Sequence, residues 1–140
     1  ALASVLSFGA CQNKGHESRD AFRAARTLVT QGQYEQSVQA LEGYLARWPQ
    51  GKHASRATLF LGKANAALGD WEAAQSAWQS TAELFPKSPE AHKARYKLAM
   101  TALWRGDPDS ALRQFKSLAA EPDGPLAPEA TAMARYLSEQ

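Results

Sequence analysis

Residues 69–86, GDWEAAQSAWQSTAELFP, decide the fold. Gly69 suits the left-handed position that ends a preceding helix, Asp70 can cap the next one, and Pro86 cannot continue it. Between these signals Trp71, Ala74, Ala77, Trp78, Ala82 and Leu84 or Phe85 recur at spacings of three and four. That is the stripe of an amphipathic helix of about four turns.

The same grammar occurs before and after this stretch. Gly32, Gly69 and Gly106 are 37 residues apart, as are Pro49 and Pro86, with Pro122 a further 36 along. Small residues stand at Ser37, Ala74 and Ala111, and large apolar ones at Leu41, Trp78 and Phe115, again 37 apart. Coincident series at one period indicate a repeat in which each unit packs on its neighbours. Apolar residues at helical spacing also mark first helices near residues 19–30, 52–68 and 88–105, where Leu61 with Gly62, Leu98 with Ala99 and, less clearly, Ala24 with Ala25 pair a larger with a smaller residue. Ser88 and Asp107 each precede a proline that suits the first turn of a helix. A loop at residues 121–127 separates these pairs from a last helix at 128–139, whose Met133, Tyr136 and Leu137 form a face that must be covered.

The small residue at Ser37, Ala74 and Ala111, the bulky one at Leu41, Trp78 and Phe115, and the closing prolines resemble the tetratricopeptide repeat. The longer period, with PKSPEA at residues 86–91, is similar to the repeats of bacterial cell-envelope proteins, among them outer-membrane assembly lipoproteins and periplasmic division coordinators. The resemblance implies an all-α protein: a right-handed α-solenoid of three such helix pairs, at about 19–49, 52–86 and 88–122, plus a C-terminal capping helix. Tyr44, Trp48, Trp71 and Trp78 are expected to pack within or between repeats.

Composition agrees with one globular unit. The chain has 140 residues, 44% hydrophobic and 21% charged, and a net charge of +2. Its single cysteine, Cys11, excludes an intramolecular disulfide framework and a cysteine zinc cluster. The uncharged run ending Leu6, Ser7, Phe8, Gly9, Ala10, Cys11 resembles the end of a bacterial lipoprotein signal peptide. The resemblance implies acylation of Cys11 and, with Gln12 following, an outer-membrane anchor facing the periplasm, joined to the folded domain by a flexible tether at residues 12–18. On the residues alone, a disordered apolar N-terminus or a secretory remnant, with Cys11 as a free thiol, fits too, the remnant giving a periplasmic soluble protein.

Catalytic patterns are missing. His16, His53 and His92 lack metal-ligand spacing, the glycines occur singly rather than in a phosphate-cradling loop, and no serine stands in a nucleophile elbow. No catalytic residue, metal or cofactor is expected, and His53 and His92 read as solvated. Charge is more informative: the first helices, taken as residues 17–31, 52–68 and 88–105, sum to +7, and the second helices, 33–48, 70–85 and 107–121, to −5. In the repeat family the first helices line the concave groove, which predicts a basic groove and an acidic back. Its candidate residues are Arg19, Phe22, Arg23, Arg26, Arg56, Leu59, Phe60, Lys63, Lys93, Tyr96, Lys97, Met100 and Trp104. Cations interleaved with aromatics suit a protein partner that offers an acidic or carboxylate-bearing peptide segment. The competing reading is an anionic polymer on the same face, a cell-wall glycan, lipid head groups or nucleic acid; export would argue against the last.

Overall fold

The structure, a computed structural model, describes residues 2–140, with side chains from residue 14 onward. The described residues form seven helices and no strand: α1 (Leu2–Thr30), α2 (Tyr34–Arg47), α3 (Ala54–Ala67), α4 (Trp71–Leu84), α5 (Pro89–Trp104), α6 (Pro108–Ala119) and α7 (Ala127–Ser138). Each packs on its neighbour in the chain, and α3 also touches both α1 and α5. The first helices α1, α3 and α5 therefore make one layer, with α2, α4 and α6 behind them, as in a helical solenoid.

Local chemistry sets the boundaries. Gly32, Gly69 and Gly106 all have positive φ, between 74° and 81°, where a side chain would be strained. Asp70 Oδ1 accepts from the Ala73 amide at 3.1 Å, Asp107 Oδ1 from Ser110 at 3.0 Å and Ser88 Oγ from Ala91 at 3.2 Å, so α4, α6 and α5 start on side-chain caps.

Core packing follows the repeat. Ser37, Ala74 and Ala111 are fully buried, and Leu41, Trp78 and Phe115 lie at the centres of three successive apolar clusters. Opposite them on the first helices stand Ala25, Gly62 and Ala99, again 37 apart and buried. The sizes compensate. Leu41 and Phe115 share their clusters with an alanine, whereas the larger Trp78 meets a glycine, and a Cβ on Gly62 would fall 2.2 Å from Trp78 Nε1. That indole N–H is buried without a hydrogen-bond partner.

The start and end of the fold differ from expectation. Residues 14–18, read from sequence as a flexible tether, belong to α1. The extra turns are held from outside the helix: Glu17 pairs with Arg47 at 3.2 Å, and the Ser18 and Tyr44 hydroxyls are 3.3 Å apart. In α7 the residues buried against α6 are Ala130 and Ala134, flanked by half-buried Met133 and Leu137. Tyr136, expected on the covered face, is exposed, because the close approach to α6 is made by the small residues. The side chain of Cys11, the expected acylation site, lies outside the described residues.

Candidate partner-binding groove

The first-helix layer repeats with the 37-residue period, and its phases differ in fate. Phe22, Leu59 and Tyr96 share one phase and all turn inward. Phe22 is 3% exposed, 4.6 Å from a nearly parallel His53 ring and 6.3 Å from Phe60. Leu59 is buried with Trp78, and Tyr96 packs edge-on against Phe115 at 5.3 Å. Phe22 is thus a core residue rather than a groove anchor: helical side chains lean toward the helix N-terminus, which tips it beneath the α2–α3 connection.

The phases on either side of this row carry charge outward. Arg19, Arg56 and Lys93 are exposed in one row, Arg23 begins the row that continues through Phe60 and Lys97, and Arg26 and Lys63 lead to Met100 in a third. Some of these cations are engaged. Arg19 lies 2.8 Å from His16 Nδ1 and 3.6 Å from Asp20, while Arg56 reaches Glu90 across the α3–α5 contact at 3.5 Å. Arg23, Arg26, Lys63 and Lys93 have no carboxylate within ion-pair distance among the described residues.

Lys97 is the most constrained. Its Nζ stands 5.7 Å from the centre of the Trp78 ring, and burial, reinforced by the nearby Lys63, lowers its pKa from the usual lysine value. It lines a cavity of about 250 Å³ with Trp78, Tyr96, Met100 and Trp104. Trp104 is 64% exposed and its ring also walls a second cavity of about 400 Å³, formed with Trp71, Glu72, Thr101 and Arg105. Trp71 and Trp104 meet edge to face at 6.0 Å. Trp71, expected to pack, does so on Trp104 of the next repeat while staying 41% exposed.

The two histidines expected to be solvated are both engaged. Burial, then Arg56, Lys52 and Arg26, lowers the pKa of His53. His92 Nδ1 lies 2.8 Å from Glu121, which also holds Arg95, so one carboxylate ties the start of α5 to the end of the third pair. No group of metal-ligating side chains occurs among the described residues.

Comparison with known families decides the relationship: the model of the YfiO family, described as outer membrane lipoprotein, matches residues 14–139. The chain belongs to the YfiO outer membrane lipoprotein family. The match begins at Lys14, within the turns of α1 that stand where a tether is expected from sequence. Among solved structures the chain is similar to PcrH from Pseudomonas aeruginosa, at 21% identity and a TM-score of 0.70, covering 88% of this chain and 92% of that one. PcrH in complex with the chaperone-binding region of PopD gives 22% and 0.67, over 86% and 90% of the chains. The Yersinia enterocolitica type III secretion chaperone SycD, in complex with a peptide of the translocator YopD, gives 18% and 0.67, over 86% and 92%. These likenesses show a shared tetratricopeptide-type solenoid. No curated protein matches the sequence. Among the described residues no helix is long and apolar enough to cross a membrane.

Proposed function

We propose that this member of the YfiO family is a non-catalytic scaffold of the bacterial envelope, lipid-anchored through Cys11 on the periplasmic face of the outer membrane, that holds a segment of another protein across α1, α3 and α5. The observation that carries the reading is Lys97: a cation drawn into an aromatic cavity beside Lys63, with exposed Arg23, Arg26 and Lys93 on the same helix layer. Two like charges beside a hydrophobic hollow favour an acidic or carboxylate-bearing segment that brings an apolar side chain with it. Trp104 and Trp71 extend the apolar surface beyond the cations and would supply the anchoring area. The solenoids of PcrH and SycD, crystallised with segments of PopD and YopD, support peptide capture as a use of this architecture.

The test is a pull-down from detergent-solubilised envelopes with the chain and with a triple variant, Arg23→Glu, Lys63→Glu and Lys97→Glu. A partner retained by the parent chain and lost from the variant is expected. Recovery of the same partners by both would remove the groove from the account. Capture that vanishes at moderate salt would instead point to an anionic polymer, since aromatic anchoring survives screening and bare charge does not. Mass spectrometry of the N-terminus tests the anchor: an acylated Cys11 is expected, and a chain running unmodified through Cys11 would contradict it.

A further inference from the structure

A second concentration of cations lies at the N-terminal edge of the groove, where the start of α1 meets the connection from α2 to α3. Lys14, Ser18, Arg19, Trp48, Lys52 and His53 surround a cavity of about 510 Å³. Further positive charge backs this wall: Arg47 sits 4.3 Å above the Trp48 ring, and Arg26 and Arg56 lie within electrostatic reach of His53. The local carboxylates are already taken. Glu17 pairs with Arg47, Asp20 with Arg19 and Glu90 with Arg56. Lys14 and Lys52 have no carboxylate within ion-pair distance among the described residues.

Six cations, Lys14, Arg19, Arg26, Arg47, Lys52 and Arg56, against the three carboxylates Glu17, Asp20 and Glu90 leave an excess of positive charge that attracts an external anion. Position in the sequence says which anion is at hand. Lys14 follows Cys11 by three residues, so the cavity stands beside any acyl anchor carried there. Trp48 adds the side chain that favours the boundary between water and lipid. We propose that this cavity binds the phosphate of an anionic phospholipid headgroup and seats the N-terminal end of the solenoid on the bilayer surface. Lys14 and Lys52 supply the charge, the Ser18 hydroxyl and Arg19 guanidinium offer hydrogen bonds, and Trp48 enters the headgroup layer. A lipid chain plus a basic patch gives two membrane signals, and the second fixes orientation as well as residence. The proposal rests on the envelope reading above for the nearness of a bilayer, and does not depend on what the groove binds.

The experiment uses the full chain with Cys11→Ser, so that no acyl chain contributes, and vesicles of phosphatidylcholine with or without phosphatidylglycerol. Co-sedimentation is expected only when phosphatidylglycerol is present. Lys14→Gln and Lys52→Gln should each lower the partition coefficient about fivefold. Arg113→Gln on α6, a helix that packs on α5 and α7 rather than on α1 to α3, should change it less than about twofold. Circular dichroism confirms that each variant is folded. Equal binding to neutral vesicles, no binding to anionic ones, or an equal loss from Arg113→Gln would overturn the proposal. Saturable binding of inorganic phosphate at micromolar concentration without vesicles would reassign the cavity to a soluble anion. Because the acyl site is removed and no groove partner is present in the assay, failure here is separable from failure of the scaffold reading.

Discussion

Replacing Gly62 by alanine should destabilise the protein, although the same change in an open helix stabilises. A new Cβ would lie 2.2 Å from Trp78 Nε1, 2.5 Å from Cδ1 and 2.8 Å from Cε2. Ordinary contact needs about 3.5 Å, so the rigid indole must retreat by roughly 1 Å. It has little space to do so, being 3% exposed and enclosed by Leu59, Ala74 and Ala94. Overpacking of this kind costs about 1–3 kcal/mol, against a gain of up to about 1 kcal/mol in helix propensity. The expected net loss is about 1–2 kcal/mol, a fall in Tm of roughly 3–8 °C for a chain of this size. Gly43, within α2, is the control: its added Cβ meets nothing within 4 Å, so Gly43→Ala should raise Tm by a few degrees. The double variant Gly62→Ala with Trp78→Phe recreates the pairing of Ala99 with Phe115 found one repeat later. It should recover much of the loss, with a coupling of about 1 kcal/mol or more. The assay is thermal and urea unfolding followed by circular dichroism. A Gly62→Ala variant as stable as the Gly43→Ala one would refute size compensation between 62 and 78.

Three further outcomes can be checked by the same unfolding measurements. The folded-state pKa of His53 lies below its unfolded value, so the unfolded chain binds more protons as pH falls through 6.5. Stability should therefore drop as the pH is lowered through that value and below it, and His53→Gln should flatten the profile there. Lys97 is likewise lowered, so its penalty is complete below the folded-state pKa and fades as pH rises toward 10.5. As the pH rises toward 10.5 the parent chain should gain more stability than Lys97→Met, and identical slopes would contradict the desolvated cation. Phe22→Ala should cost about 3–5 kcal/mol as a core cavity, while Trp104→Ala should cost under about 1 kcal/mol and show its effect in partner capture.

The fold was legible because the residues that fix it are those at helix crossings, where size is constrained in every repeat. Ser37, Ala74 and Ala111, with Leu41, Trp78 and Phe115, announce the crossing by period alone, and all six are buried. The groove was legible only in its charge. An apolar residue on a first helix looks alike in sequence whether it faces a ligand or the next repeat, and Phe22 faces inward. The period offers a usable signal after the fact, since Phe22 shares its phase with Leu59 and Tyr96, which also pack. Trp71 packs between repeats as expected, but more openly than the other tryptophan of its helix. Its phase mate Tyr34 is half-buried against the first cluster, whereas Trp71 is 41% exposed and packs edge to face on Trp104. His53 and His92 owe their surroundings to residues about 30 positions away, Phe22 and Glu121, which no local pattern connects to them. The helical start of α1 was hidden likewise, since its partners Arg47 and Tyr44 lie on α2.

The central claim is that the α1, α3 and α5 layer is the surface that holds another protein. Site-specific photocrosslinking in intact cells tests it most directly, with a benzophenone side chain placed in turn at Arg23, Lys63, Lys93 and Trp104, and at Ser76 and Arg113 on the outward helices. A discrete protein adduct from the first-helix positions, absent from Ser76 and Arg113, is expected. Adducts from the outward positions alone, with none from the first helices, would contradict it.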